Sequence, residues 1–188
     1  MYNNLIITAI TFNLAVTIKL NFLYFFIGLF CLLFLLYFFI CFICFGPIAI
    51  SAAYYSQAQS YSVLALITSI LVGISTSIIL FCSHFHQVED DLAAGKRSPI
   101  VRLGTKTGAN VLLWSTASIF ILTVIWIVWG YFSLASLLIF LAIPWAYKLV
   151  RHVQQYHDQP EKVSNSKFIA VEFYLWSSVF LGLGIAMN

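Results

Sequence analysis

Charged side chains are scarce in this sequence. Asp, Glu, Lys and Arg together make up 8% of its 188 residues, whereas soluble domains average about 25%. Residues 20–88 and 107–147 contain none of the four. A membrane crossing needs roughly 20 apolar residues, so each stretch can hold more than one crossing. The scarcity of charge excludes a soluble domain and predicts an integral membrane protein.

Several familiar signals are also missing. The first 19 residues, MYNNLIITAITFNLAVTIK, lack the basic lead-in and the small-residue cleavage site of a secretory signal. No Ser-His-Asp set, glycine-rich nucleotide loop or alternating barrel pattern occurs. The four cysteines lie in apolar runs, so Cys41-x-x-Cys44 is more typical of helix packing than of a metal or redox pair. The net charge of +3 comes from bases that flank helices, which does not indicate nucleic-acid binding.

The apolar runs predict an all-α, polytopic bundle of about six or seven transmembrane helices. At 1.5 Å per residue, one helix over residues 22–57 would overshoot a hydrocarbon core of ~30 Å. We therefore expect the chain either to bend and emerge at Gly46-Pro47 or to form two tightly joined spans there. The predicted spans are Leu5–Ile18, Phe22–Cys44, Pro47–Gln57, Val63–Ser83, Asn110–Trp129, Phe132–Val150 and Phe168–Met187.

The charge that is present gathers in two polar loops, residues 84–108 and 147–167. A hairpin about Gly130 would place both loops on the same side of the membrane. Basic residues mark the cytoplasmic side of membrane proteins, or its organellar equivalent, so this is the side we expect both loops to face. Eight of the nine basic residues lie in or beside the loops: Lys96, Arg97, Arg102, Lys106, Lys148, Arg151, Lys162 and Lys167.

The first polar loop has an order that suggests chemistry, because acids come first and bases follow. An apolar helix is expected to continue to about Asp91, where Gln87 and Asp91 are i,i+4 neighbours on one face. Adjacent carboxylates repel, and Mg²⁺ would offset that repulsion, since it prefers one or two carboxylates plus phosphate oxygens. Gly95 then turns the chain towards basic side chains that are suited to binding phosphate. The alternative is an ordinary topogenic loop, although acids contribute little to orientation. The acids are Glu89, Asp90 and Asp91, and the bases are Lys96, Arg97 and Arg102.

The same segment resembles a known family. The run AGKRSPIVRLGTK (94–106), directly after the acids, is similar to the second acidic motif of the UbiA-type intramembrane prenyltransferases, roughly D-x-x-x-D, then G-K, a spacer and V-R-L-G. The form is most similar to their naphthoate phytyltransferase branch in cyanobacteria and plastids. Similarity runs from about Ile40 to the end of the chain and includes FGPIAISAAYYSQAQS (45–60), GISTSIILFCSHFHQVEDD (73–91) and RHVQQYHDQPEKVSNSKFIAVEF (151–173).

The resemblance implies the C-terminal part of a nine-helix bundle around a central cavity. It implies Mg²⁺ as cofactor, phytyl diphosphate as donor and 1,4-dihydroxy-2-naphthoate, or its oxidised form, as acceptor in phylloquinone or menaquinone synthesis. The site residues it implies are Asp91 and Asp90 for catalysis; Asp91, Asp90, Glu89 and Gln87 for the metal; Lys96, Arg97, Arg102 and Arg151 for the diphosphate; and Tyr54 and Tyr55 for the acceptor or prenyl pocket.

Two departures from the family pattern affect the expected activity. The first acidic position of D-x-x-x-D is Gln87, and no Asp or Glu precedes Glu89, so the family's other acidic motif, N-D-x-x-D-x-x-x-D, is absent. We expect a single transmembrane domain over residues 1–188, with 1–40 a poorly matching remnant and 41–188 the C-terminal part of the enzyme. A truncated member with half a metal site would have little or no activity alone, unless a second chain supplies the missing half.

Weaker candidates and other classes of protein stay open from the sequence. Tyr54 and Tyr55 also fit an interfacial aromatic pair, and His84 and His86 are i,i+2, which is a poor metal pair. Glu172 is a lone carboxylate near the start of the last span, where charge is often functional. A small transporter or a structural or assembly subunit without catalysis is the alternative to the enzyme. The composition suits a plastid membrane, thylakoid or inner envelope, or a cyanobacterial membrane.

Overall fold

A computed structural model describes residues 39–187, which from Ile40 onward form one compact unit. All regular structure in this range is helical, which confirms the predicted all-α class. Five helices are long and apolar enough to cross a membrane. The elements are α1 (Phe39–Ala58), α2 (Val63–Ser83), α3 (Val88–Ala93), α4 (Pro99–Leu103), α5 (Thr105–Val128), α6 (Leu134–Tyr156), α7 (Pro160–Val163) and α8 (Ser166–Ala186).

Helix α1 runs without a break through Gly46-Pro47, so the predicted interruption there is wrong. The segment Cys44–Ile48 is a π-helix, and the Ala49 N–H donates to the Cys44 carbonyl oxygen. Proline in an ordinary α-helix removes one hydrogen bond and clashes with the carbonyl four residues earlier. A wider π-turn accommodates the ring and lets the helix continue. The span predicted at Leu5–Ile18 and most of the one predicted at Phe22–Cys44 lie outside the described residues.

Glycines allow α1 and α2 to cross at close range. A Cβ on Gly46 would lie 2.6 Å from the Ser69 carbonyl oxygen, and a Cβ on Gly73 would lie 2.9 Å from the Phe42 carbonyl oxygen. Small residues are the usual means by which membrane helices bring their backbones together. The two helices therefore pack as an antiparallel pair, and the span predicted over Val63–Ser83 is confirmed.

Helices α5 and α6 form the hairpin predicted about Gly130. Gly130 has φ +77°, and the Tyr131 N–H donates to the Trp126 carbonyl oxygen across the turn. Helix α5 begins at Thr105, five residues before the predicted Asn110, so it takes in part of the first polar loop. Helix α6 opens with a 3₁₀ segment, Leu134–Ala142, and becomes α-helical at Ile143.

The last helix, α8, packs along α2 and along the 3₁₀ segment of α6. Its inward side is made of small or fully buried residues, among them Ala170 and Phe173, each with no exposed surface. The Ser166 hydroxyl donates to the Cys82 carbonyl oxygen at 3.3 Å, which places the start of α8 level with the end of α2. This alignment brings both polar loops to the same end of the bundle, as the charge pattern predicted.

Candidate diphosphate and metal site

The acidic residues lie on a short helix of their own, so the expected continuation of α2 to Asp91 is wrong. Helix α2 ends at Ser83, and α3 begins at Val88. In the connecting turn Phe85 is 1% exposed, and its ring lies 3.2 Å from the position that a Cβ on Gly108 would take. Burying this ring against α5 draws the chain away from the axis of α2, and the acids therefore start a new helix.

The three carboxylates of α3 do not share a face. Successive residues of an α-helix are about 100° apart, and in α3 Asp91 points inward while Glu89 and Asp90 are exposed. Gln87 is the N-cap of α3, and its carbonyl oxygen accepts the Asp91 N–H at 2.8 Å. Gln87 and Asp91 therefore lie one turn apart, as predicted, and Asp91 is the acid that faces the protein.

The Asp91 carboxylate has the burial and the unpaired oxygen that suit a metal ligand. Its side chain is 9% exposed, and within residues 39–187 its Oδ2 atom is buried without a hydrogen-bond partner. Leaving a carboxylate oxygen buried and unpaired is costly, so a cation there would stabilise the folded chain. Among the described residues no three His, Cys, Asp or Glu side chains converge as a metal cage. One carboxylate suits Mg²⁺ when phosphate oxygens complete its coordination.

The basic residues follow the acids across a tight turn. Gly95 has φ +67°, and the Lys96 N–H donates to the Asp91 carbonyl oxygen at 2.7 Å. Lys96 and Arg97 are both exposed. The Arg102 Nε donates to the Arg97 carbonyl oxygen at 3.0 Å, which ties α4 to the residue after Lys96. The predicted acids and the predicted bases of the first loop are therefore brought together at one end of the bundle.

Helix α4 anchors this turn to the membrane-spanning bundle. Ile100 has no exposed surface, and its Cδ1 lies 2.7 Å from the position of a Cβ on Gly108. Gly104, with φ +79°, ends α4 and leads directly into α5. A rigid support improves the positioning of a binding loop. Helix α4 therefore supports the segment that carries Lys96 and Arg97.

Arg151, the fourth residue predicted for the diphosphate, lies on α6. Its Nη1 donates to the Tyr147 hydroxyl at 3.1 Å, and its guanidinium stands 5.8 Å from the centre of that ring. The two polar loops nevertheless touch, because the Thr105 hydroxyl and His157 Nδ1 lie 3.0 Å apart. Arg151 thus belongs to the same end of the bundle, and its predicted role stays a prediction.

Replacing Thr105 with Val should loosen this link between the polar loops. The substitution keeps the shape of the side chain but removes the hydroxyl that meets His157, at an expected cost of about 1 kcal/mol. We expect faster backbone hydrogen exchange at residues 156–160 in the Thr105→Val variant. Thr107→Val, two residues along and exposed, is the matched control. Equal exchange in both variants would show that the Thr105–His157 contact does not hold the second loop.

Two histidines border the acidic helix in their neutral form. The pKa of His84 is lowered, mainly because burial disfavours the cation, while the nearby Asp91 carboxylate opposes the shift. The pKa of His86 is lowered too, first by burial and then by Lys167, with Asp90 opposing. Neutral histidines add no positive charge beside Asp91 at pH 7. They would therefore not repel a metal cation bound to the Asp91 carboxylate.

Tyr54 and Tyr55 lie at the opposite end of α2 from the acidic helix. Tyr54 lines a small hollow with Ser62 and Val63, at the start of α2. Tyr55 stacks on Tyr61 with ring centres 4.9 Å apart. The 21 residues of α2 span about 30 Å, so the structure does not bring this pair to the acids. A pocket role for the tyrosines stays a prediction, and their placement fits an interfacial aromatic pair.

Glu172 has a partner that the sequence did not show. Its Oε2 accepts a hydrogen bond from Lys148 Nζ at 2.8 Å, and both side chains are about half exposed. The pair joins α6 to α8 close to the polar end of the bundle. It is a structural ion pair between helices, and it leaves Glu172 outside the acidic site.

Together these features define a polytopic helical membrane protein with an inward carboxylate and a basic turn at one end. The model of the UbiA prenyltransferase family matches residues 3–178. The chain belongs to the UbiA prenyltransferase family, which confirms the resemblance inferred from its motifs. This membership favours the enzyme over the transporter and the structural subunit as the class of protein.

Three relatives indicate the branch. The chain is 59% identical over 144 residues to a Synechocystis 2-carboxy-1,4-naphthoquinone phytyltransferase, covering 77% of the chain and 47% of that protein. It is 36% identical over 155 residues to the chloroplastic phytyltransferase of Arabidopsis thaliana, covering 78% and 41%. A human UbiA prenyltransferase domain-containing protein is 27% identical, covering 76% and 42%. The chain thus spans about half the length of the curated relatives it matches. No solved structure matches it significantly.

Proposed function

We propose that this chain takes part in the transfer of a phytyl group from its diphosphate to a 2-carboxylated naphthoquinone or its hydroquinone. The proposal is supported by the buried, unpaired Asp91 carboxylate, which a single tight turn separates in sequence from Lys96 and Arg97, in a chain 59% identical to a phytyltransferase. The setting we propose is a plastid or cyanobacterial membrane, as for those relatives. The comparisons give no support to a second chain.

In the proposed reaction the bond between the prenyl carbon and the diphosphate oxygen breaks, and the electron pair leaves with the diphosphate. The ring carbon of the hydroquinone that bears the carboxylate then bonds to the allylic cation, and loss of the carboxylate from that carbon as CO₂ restores the aromatic ring. Charge that develops on the leaving oxygens has to be neutralised in place. In this chain Asp91, Lys96 and Arg97 would contribute to this neutralisation from one side of the leaving group.

Asp91 and the Gln87 side chain are the residues that would hold Mg²⁺ in this chain. When bound, the metal supplies charge neutralisation for the departing diphosphate. Glu89 and Asp90 are exposed and add negative potential around the site. Lys96 and Arg97, across the Gly95 turn, would contact phosphate oxygens as a point charge and as a bidentate fork. The backbone bond from the Lys96 N–H to the Asp91 carbonyl oxygen ties the start of this basic segment to α3.

One acidic segment neutralises the leaving group from one side only. Because no Asp or Glu precedes Glu89, we propose that the isolated chain turns over at least about 100-fold more slowly than the Synechocystis relative, a loss comparable to removing one stabilising group from an active site. The experiment is phytyl transfer by both proteins in lipid nanodiscs with Mg²⁺, phytyl diphosphate and dihydroxynaphthoate, with the prenylated product measured by mass spectrometry. Equal turnover would show that the chain needs no second acidic set.

Lys96→Ala should weaken the binding of phytyl diphosphate about 10-fold, because a charge-assisted contact to phosphate is lost. The metal ligands are unchanged in this variant, so binding should still require Mg²⁺. Lys106→Ala removes the same charge from an exposed position on α5, at the same end of the bundle, and should leave the affinity within about twofold. Titration by fluorescence or calorimetry gives both values. Equal weakening in the two variants would mean that only net charge matters.

A further inference from the structure

A groove of about 460 Å³ opens between α1, α2 and α8. This volume falls in the range of small-molecule pockets, ~300–1,000 Å³. Its walls are mainly apolar and include Phe45, Leu80 and Phe168, and Lys167 is the charged residue among those that line it. Such a groove suits a flat or chain-like apolar molecule that carries one anionic group.

Lys167 is placed at the polar end of this groove. It follows Ser166, whose hydroxyl meets the last turn of α2 at Cys82, so Lys167 lies level with the end of that helix. Its Nζ stands 5.3 Å from the centre of the Phe168 ring. Within residues 39–187 the Lys167 ammonium forms no ion pair. A half-buried cation without a carboxylate partner is poised to take an anion from a ligand.

The groove also adjoins the acidic helix. Ser83, the last residue of α2, lines the groove, and the turn that follows it leads directly into α3. A ligand whose anionic group binds Lys167 would therefore have its apolar part in the groove and its anionic group beside the proposed diphosphate site.

We infer that Lys167 is a specificity-determining residue that recognises the carboxylate of the aromatic acceptor, whose ring lies in the groove between α1, α2 and α8. This inference rests on the proposed function. Charge matching favours the acceptor over the donor: one ammonium suits the single charge of a carboxylate, whereas a diphosphate carries more charge and is served by the metal and by Lys96 and Arg97. The apolar and aromatic walls suit a fused ring.

The experiment compares two probes that differ in the carboxylate. 1-Hydroxy-2-naphthoate and 1-naphthol are titrated into the full chain in nanodiscs, as wild type and as Lys167→Met. Wild type should bind the naphthoate about 10-fold more tightly than the naphthol. Lys167→Met should lose this preference while its affinity for the naphthol stays the same. Lys167→Arg, which keeps the charge, should retain it, and Lys162→Met, an exposed lysine on α7, should behave as wild type.

Mg²⁺-dependent binding of phytyl diphosphate, measured on the same variants, separates the possible results. The inference requires that Lys167→Met leave this binding unchanged. Loss of diphosphate binding with naphthoate preference intact would make Lys167 a phosphate contact and overturn the inference. A wild type that does not discriminate between the probes would overturn it as well. Naphthoate preference in a chain that never binds phytyl diphosphate would instead remove the proposed function and leave the carboxylate site standing.

Discussion

Asp91→Asn abolishes Mg²⁺-dependent binding of phytyl diphosphate, with an expected loss of affinity of at least about 100-fold. The amide keeps the shape of the side chain but removes the charge that would hold the metal. Because the wild-type carboxylate is buried with Oδ2 unpaired, the neutral variant should be at least as stable to heating as wild type. Loss of binding together with unchanged or higher thermal stability is therefore the expected combination, measured by titration with Mg²⁺ and by thermal unfolding without Mg²⁺ in the same nanodiscs.

Glu89→Gln provides the matched control for this variant. It removes the same charge from the same short helix, but at an exposed position, where a single charge contributes little. Its affinity for phytyl diphosphate should stay within about threefold of wild type. If the Asp91 and Glu89 variants lose affinity equally, the inward carboxylate has no special role and the assignment of the metal ligand is wrong.

Gly184→Ala should cause the largest loss of stability among single small substitutions in α8. A Cβ on Gly184 would lie 2.5 Å from the Ala135 carbonyl oxygen and 2.6 Å from the Ser136 Cα. Both are backbone atoms, so α8 and the 3₁₀ segment of α6 would have to separate. Overpacking of this kind typically costs about 1–3 kcal/mol. We expect a clear fall in the midpoint of thermal unfolding.

Gly182→Ala, two residues earlier in the same helix, is the control. Nothing lies within 4 Å of the position that its Cβ would take. Alanine is the better helix former by about 1 kcal/mol, so this variant should match or exceed the wild-type midpoint. If Gly→Ala lowers the midpoint of thermal unfolding at position 184 but not at position 182, the loss comes from the contact between α8 and α6. Equal effects would show that the close approach at Gly184 does not exist in the folded protein.

Much of the fold could be predicted because it rests on hydrophobic length and on charge placement. The apolar run at Val63–Ser83 is bounded by polar residues, so its limits coincide with those of α2. Gly130 marks the α5–α6 hairpin because a positive φ is required there. Pro47 was misleading, since a π-turn absorbs the proline, and sequence patterns do not reveal that solution. The 3₁₀ start of α6 was missed for the same reason.

The sequence predicts which residues form the site but not which of their side chains face the protein interior. The acids and bases of the first loop were found from their order, and the structure places them on either side of the Gly95 turn. Which acid faces inward depends on Phe85 packing against Gly108, a contact between residues far apart in sequence. The sequence marks Lys167 only as a topogenic charge, because nothing near it in the sequence shows that α1 and α2 form a groove beside it. The Thr105–His157 contact was likewise invisible.

The most direct test of the central claim, that this chain carries a metal-dependent diphosphate site, is the Mg²⁺ dependence of phytyl diphosphate binding to the wild-type chain. Phytyl diphosphate is titrated in nanodiscs with Mg²⁺ and again after chelation by EDTA, with phytol as the uncharged control. We expect tight binding of phytyl diphosphate that disappears on metal removal, and phytol binding that does not respond to the metal. Equal affinity for phytyl diphosphate with and without Mg²⁺ would contradict it.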